Sequence, residues 1–261
     1  MLLKNKNAVI YGGGGAVGGA IAKAFASEGA NVFLAGRTTA KLEAVAAQIY
    51  NTGGKVDIAR VDALNKQEVD DHLNGIVKKS GSIDISFNAI SLNDTQGSPL
   101  TSMEYDQFVT PVITAMHTHF ITSTAAANTM RKKGSGVIMA ITANAARKPY
   151  PDSGGFGVAC AAIEGYCRQL ALEAGEWGIR VVCIRSAGSP DAPGVDEVFN
   201  LHAKNAGITR SAFEERFAGR TMLKRLPRLY EVANAAVLMA SDKASAVTAA
   251  VVNVTCGELA D

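Results

Sequence analysis

What this chain is short of narrows the reading before any motif is considered. Its four cysteines, Cys160, Cys167, Cys183 and Cys256, form no C-x-x-C pair and no closely spaced set, so neither a disulfide framework nor a metal site of the zinc type is indicated. Reduced thiols and a cytoplasmic location are the expectation. Neither sign of charge dominates: 26 Lys and Arg face 24 Asp and Glu, a formal net charge of +2. No strong field therefore points to nucleic acid or a membrane as partner. The one dense basic run, Arg131-Lys132-Lys133, suits a helix C-terminus, where cations complement the dipole. No apolar run reaches membrane-spanning length. Residues 1–7 already carry two lysines, an arrangement unlike a signal peptide.

What is abundant is apolar content, 48% of 261 residues, with charged residues at 19%. That balance predicts one globular α/β domain over residues 1–261 with a sizeable core. Short runs rich in Val and Ile alternate with longer stretches of helical period, the pattern of a parallel sheet covered on both faces. Strands are predicted over residues 7–11, 31–36, 55–61, 83–88, 136–142, 180–185 and 250–254. Helices are predicted over 17–27, 40–50, 66–79, 106–132, 156–176 and 231–241. The order is that of a Rossmann-type, doubly wound, mostly seven-stranded parallel sheet, which binds ligands beyond the strand C-termini at its switch point. Residues 189–226 read as a helical insertion over the sheet edge and a natural substrate lid; Ser211 and Glu214 within it have capping-box spacing. Met116, Met130 and Met139 read as core filler, and Trp177 as packing where a helix ends before Gly178.

Between the first strand and the first helix lies Tyr11-Gly12-Gly13-Gly14-Gly15-Ala16-Val17-Gly18-Gly19. Glycines at such a point let the backbone turn tightly and approach a pyrophosphate, which rests on the helix N-terminus. A purely steric glycine turn is the competing reading. At the end of the second strand, Ala35-Gly36-Arg37-Thr38 lacks the acid that would bind an NAD ribose diol. A guanidinium there can grip a 2′-phosphate bidentately, so Arg37 favours NADP(H) unless it is simply a solvated charge.

The loop resembles the Thr-Gly-x-x-x-Gly/Ala-x-Gly pattern of the short-chain dehydrogenase/reductase family, with Gly12, Ala16 and Gly18 matching and Tyr11 in place of Thr. Val61-Asp62-Ala63 resembles the adenine-contacting segment, and Asn88-Ala89 a degraded Asn-Asn-Ala-Gly. Ile184-Arg185-Ser186-Ala187-Gly188 resembles the nicotinamide-side turn, and the segments 231–235 and 238–242 the last helix. The resemblance implies cofactor contacts from Gly12, Gly14, Gly15, Val17, Gly18, Arg37, Asp62, Ala63, Asn88, Ala89, Ala187 and Gly188. It also implies an oxidoreductase of carbonyl or alcohol substrates. A homodimer or homotetramer follows by resemblance, formed through the helices 106–132 and 156–176 and the last strand, with Ala125-Ala126-Ala127 permitting close approach.

The catalytic half departs from the family. There, a tyrosine exchanges the proton at the substrate oxygen and a lysine one turn on lowers its pKa. Aligning the helix on residues 161–166 and 168–173 leaves Phe156 and Cys160 in those places, Ala143 in place of the helper serine and Ala115 in place of the helix asparagine. No catalytic residue is assigned. Tyr150, flanked by Pro149 and Pro151, could replace the donor or stack as a loop aromatic. His117 and His119 are alternative donors, but their spacing forbids both facing one site. Cys160 is a nucleophile only if a basic group lowers its pKa; otherwise it fills the space left by lysine. A non-catalytic, cofactor-binding protein or partner subunit is the alternative function.

Overall fold

The computed structural model describes residues 1–260. Among them, seven strands pair in parallel: β1 (Asn7–Tyr11), β2 (Asn31–Gly36), β3 (Lys55–Arg60), β4 (Ile85–Asn88), β5 (Gly136–Ala143), β6 (Ile179–Ser186) and β7 (Ala250–Val254). Their spatial order is β3-β2-β1-β4-β5-β6-β7. The order reverses between β1 and β4, which opens a crevice at the strand C-termini. The helices are α1 (Ala16–Ser27), α2 (Thr39–Asn51), α3 (Lys66–Ser80), α4 (Tyr105–Arg131), α5 (Phe156–Ala174), α6 (Pro193–Asn205), α7 (Arg210–Arg220) and α8 (Leu229–Ala240). No helix among the described residues is long and apolar enough to cross a membrane.

Strand alternation builds two cores. Val9, Tyr11 and Phe33 face one way, toward α3, α4 and α5; Ala8, Ile10, Val32 and Leu34 face the other, toward α1, α2 and α8. Every residue of β1 is buried, as a strand at the centre of a covered parallel sheet requires. Met130 and Met139 lie in these cores and Met116 packs half-buried against one.

Local chemistry sets where elements begin and stop. The Asn65 side chain accepts from the backbone of Gln67 and Glu68 and starts α3, which ends at Gly81 with φ of 85°. β4 begins two residues later than its apolar run suggests, because the Asp84 carboxylate takes the backbone N–H of Asn7 at 2.8 Å and pairs with Lys133. The basic run therefore divides its work. Arg131 lies 5.0 Å from the Trp177 ring centroid while Lys133 ties the helix end to β4. The capping box read at Ser211 and Glu214 is not formed. Thr209 caps α7, its hydroxyl accepting from the Ala212 N–H at 3.1 Å, while Ser211 donates to Glu215 and Glu214 pairs with Arg210.

One charged group sits deep inside. Arg185 of β6 grips Glu164 of α5 through Nε at 2.8 Å and Nη2 at 2.7 Å, and the Thr142 hydroxyl of β5 donates to the same carboxylate at 3.0 Å. Both side chains are at most 5% exposed. Breaking such a pair strands a buried charge, whereas replacing both partners with apolar groups need not destabilise. Glu164→Leu alone is expected to cost about 3–5 kcal/mol in urea unfolding, and Glu164→Leu with Arg185→Met to recover most of it. Equal losses in the single and double variants would show that the pair does not couple these elements.

Candidate functional site

The glycine loop is held by contacts that admit little more than hydrogen. Gly12 adopts φ of +74°, and a Cβ there would lie 2.5 Å from the Ala89 carbonyl oxygen. A Cβ on Gly18 would overlap the Gly12 carbonyl oxygen, and one on Gly14 would come 2.8 Å from Cβ of Lys41. The Gly12 N–H donates to the Ala35 carbonyl at 2.9 Å and that of Gly15 to the Gly12 carbonyl at 3.0 Å. α1 then begins at Gly15 with no side-chain cap and no acidic residue in its first turn. Its leading N–H groups are left for an anion. A pyrophosphate fits this loop, and Gly12, Gly14, Gly15, Val17 and Gly18 are the residues that would hold it.

The other residues expected at a cofactor gather at the same strand ends. Arg37 is exposed immediately after β2, beside Gly36. Asp62 follows β3, with one carboxylate oxygen accepting from the Leu64 N–H at 3.0 Å, and Ala63 is buried behind it. Asn88 turns inward: it donates to the Thr122 hydroxyl at 3.1 Å and accepts from the Ile90 N–H at 3.0 Å, so it shapes the turn that carries Ala89. Ala187 is buried, and Gly188 follows with φ of +83°. Tyr11 points into the core beneath this crevice. Its hydroxyl is buried without a hydrogen-bond partner among the described residues, and burial pushes its pKa up.

The positions expected to carry proton transfer are packed. Phe156 is half-buried at the start of α5 against the α3–α5 core, and Ala115 is fully buried. Cys160 is 1% exposed. Burial pushes its thiol up to about 12, with the charges of Glu164 and Asp94 adding to the rise. That is the reverse of an activated thiol.

The candidate donors fare differently. His117 is exposed on α4. His119 is buried, its Nδ1–H donating to the Ala115 carbonyl at 2.9 Å, and burial holds its pKa down to about 4. Its Nε2 has no hydrogen-bond partner among the described residues; the ring lines a small internal cavity with Asn88, Ser123, Tyr166 and Cys167. Tyr150 stacks on Phe217 of α7, ring centroids 5.4 Å apart. Its hydroxyl donates to Glu258 at 2.7 Å and accepts from Asn144 at 2.7 Å. Burial, and then the neighbouring carboxylate, push its pKa up. Lys148 and Asn144 also bind Glu258, whose side chain is wholly buried. Sequence patterning gives no sign of this cluster, because Glu258 lies more than a hundred residues from Asn144, Lys148 and Tyr150. Nor does it point to Asp94, Gln96 and His202, which join in a chain: His202 Nε2 lies 2.9 Å from Gln96 Oε1, and Gln96 Nε2 donates to Asp94 Oδ2 at 2.6 Å.

A family profile described as enoyl-(acyl carrier protein) reductase matches residues 14–258. The chain belongs to the short-chain dehydrogenase/reductase family. Among relatives of this family, an uncharacterized oxidoreductase of Mycobacterium tuberculosis is 33% identical over 98% of this chain and 92% of its own. A 3-oxoacyl-[acyl-carrier-protein] reductase of Chlamydia muridarum is 29% identical over 98% of each chain. A solved 7α-hydroxysteroid dehydrogenase, complexed with NADH and 7-oxo glycochenodeoxycholic acid, is 28% identical with a TM-score of 0.83, over 98% of this chain and 94% of that one. In this crevice an uncapped glycine-rich loop lies at the same strand ends as the packed residues Phe156, Cys160 and Ala115.

The thiol environments give a direct check. Cys160, Cys167 and Cys183 are buried and Cys256 is partly exposed. Native protein at pH 8 is expected to release one equivalent of thionitrobenzoate from Ellman's reagent, lost in Cys256→Ala. Rapid reaction of Cys160 would contradict its assignment as packing.

Proposed function

We propose that this chain is an NADP(H)-binding short-chain dehydrogenase/reductase that does not use the family's tyrosine–lysine proton relay. The observation that carries the reading is the contrast within one crevice. The glycine loop leaves the α1 N-terminus uncapped for a pyrophosphate, while Phe156, Cys160, Ala143 and Ala115 provide no side-chain proton donor at the aligned positions. Arg37, at the end of β2 where NAD-preferring sites carry an acid, supports the 2′-phosphate form of the cofactor. Bound there, the nicotinamide would supply or accept hydride. Loss of acid–base help alone lowers turnover about 10²- to 10⁴-fold. Carbonyl or alcohol chemistry in this site therefore requires another group.

The proposal treats residues 1–261 as one dinucleotide-binding domain, with 189–226 as the substrate lid. A homodimer or homotetramer is part of it: Ile113 and Phe120 of α4 and Leu172 of α5 are exposed, and β7 is a half-buried edge. Sedimentation should then give two or four times the chain mass. The second reading, a non-catalytic cofactor-binding protein or partner subunit, is favoured by Cys160, which is 1% exposed and packed into the core at the position aligned with the relay lysine.

Calorimetric titration tests the cofactor. NADPH is expected to bind at least tenfold more tightly than NADH, and Arg37→Ala to weaken NADPH by about tenfold or more while leaving NADH unchanged, as loss of a charge-assisted contact implies. Equal affinity for both nucleotides would overturn the NADP(H) preference, and no binding of either would overturn the cofactor reading.

A further inference from the structure

Asp94 lies in the loop after β4, at the strand ends where this sheet binds ligands. Three contacts hold that loop in place. The Gly97 N–H donates to the Asp152 carbonyl at 2.7 Å, a Cβ on Gly154 would meet the Thr95 carbonyl at 2.5 Å, and the Asn205 side chain donates to the Gly97 carbonyl at 3.0 Å. The loop is thereby clamped between the segment that leads into Phe156 and the helix α6. Gln96 donates to Oδ2 of Asp94 and accepts from His202 of α6, whose ring stacks on Phe213 of α7 with centroids 6.0 Å apart. Oδ1 accepts from no protein donor among the described residues, and Asp94 forms no ion pair among them. Its charge reaches Cys160. The other carboxylate near that thiol, Glu164, is enclosed by Arg185 and Thr142.

We propose that Asp94 is the substrate-anchoring carboxylate of this site, oriented by Gln96 and His202, and that the substrate class it selects is neutral and polyhydroxylated. This rests on the dinucleotide reading of the crevice. An ionised carboxylate is an acceptor only, so a ligand must bring it a donor. An apolar ligand would bury it unpaired and pay its desolvation, and an anionic ligand would be repelled. A cationic ligand is the competing donor, and choline is the probe that reports it. Hydroxyl groups satisfy the carboxylate without adding charge.

The test is ligand-observed saturation-transfer NMR on the full chain, with and without NADPH, using D-glucitol, choline and cyclohexanol as probes. Glucitol is expected to show transfer, with binding about ten- to a hundred-fold weaker in Asp94→Asn, the range for one charge-assisted hydrogen bond. Gln96→Leu should weaken it as well, and Gln96→Glu, which cannot donate to Asp94, should not rescue it. Absence of glucitol transfer, equal transfer in Asp94→Asn, or stronger transfer to choline or cyclohexanol would overturn the proposal. NADPH binding measured on the same samples separates these outcomes from failure of the cofactor reading, since Asp94→Asn should leave it unchanged.

Discussion

The whole crevice depends on how closely three backbone segments approach one another at Gly12 and Gly18. Gly12 leaves β1 with a positive φ against the Ala89 carbonyl after β4, and Gly18 of α1 lies against the Gly12 carbonyl. A single methyl group at either point would push the first helix off the sheet or separate β1 from β4. With only hydrogen there, α1 starts directly over the point where the strand order reverses. The uncapped helix terminus, its dipole and the crevice then coincide. The surrounding sheet is apolar on both faces and holds this arrangement rigidly.

The same strand ends show a different logic on the substrate side. Phe156 and Cys160 join the core, and the charges are placed elsewhere: Glu164 with Arg185 beneath α5, Glu258 with Lys148 and Tyr150 at the chain's end, and Asp94 on the β4 loop. Two of these carboxylates are enclosed by partners and serve to join elements. Tyr150 is directed to Glu258, which makes it a stacked, hydrogen-bonded loop aromatic and a poor proton donor. Of the three, only Asp94 has a carboxylate oxygen that accepts from no donor among the described residues.

The strands were legible because a parallel sheet buried on both faces writes each strand as a short Val- and Ile-rich run; residues 250–254 show this even at an edge. The glycine loop was legible because its chemistry is local. Boundaries shifted where a distant partner intervened, as at Asp84, whose carboxylate serves Asn7 and Lys133. The cap of α7 was misplaced because Thr209 and Ser211 offer the same hydroxyl two residues apart, and only the backbone decides which one precedes the helix. Gln96 with His202, and Glu258 with Tyr150, left no periodic trace, since each pair meets only through contacts more than a hundred residues apart in sequence. His117 and His119 were separable only by helix phase, which turned one to solvent and one into the core.

The central claim is that this fold retains the dinucleotide cradle and lacks the relay that usually works beside it. The most direct measurement is a crystal structure of the complex with NADPH. The account predicts the pyrophosphate on Gly14, Gly15 and the start of α1, the 2′-phosphate within hydrogen-bonding distance of Arg37, and no donor from residues 115, 143, 156 or 160 beside the nicotinamide. A nucleotide bound elsewhere, or a crevice blocked by the Tyr11 or Ile90 side chain, would contradict it.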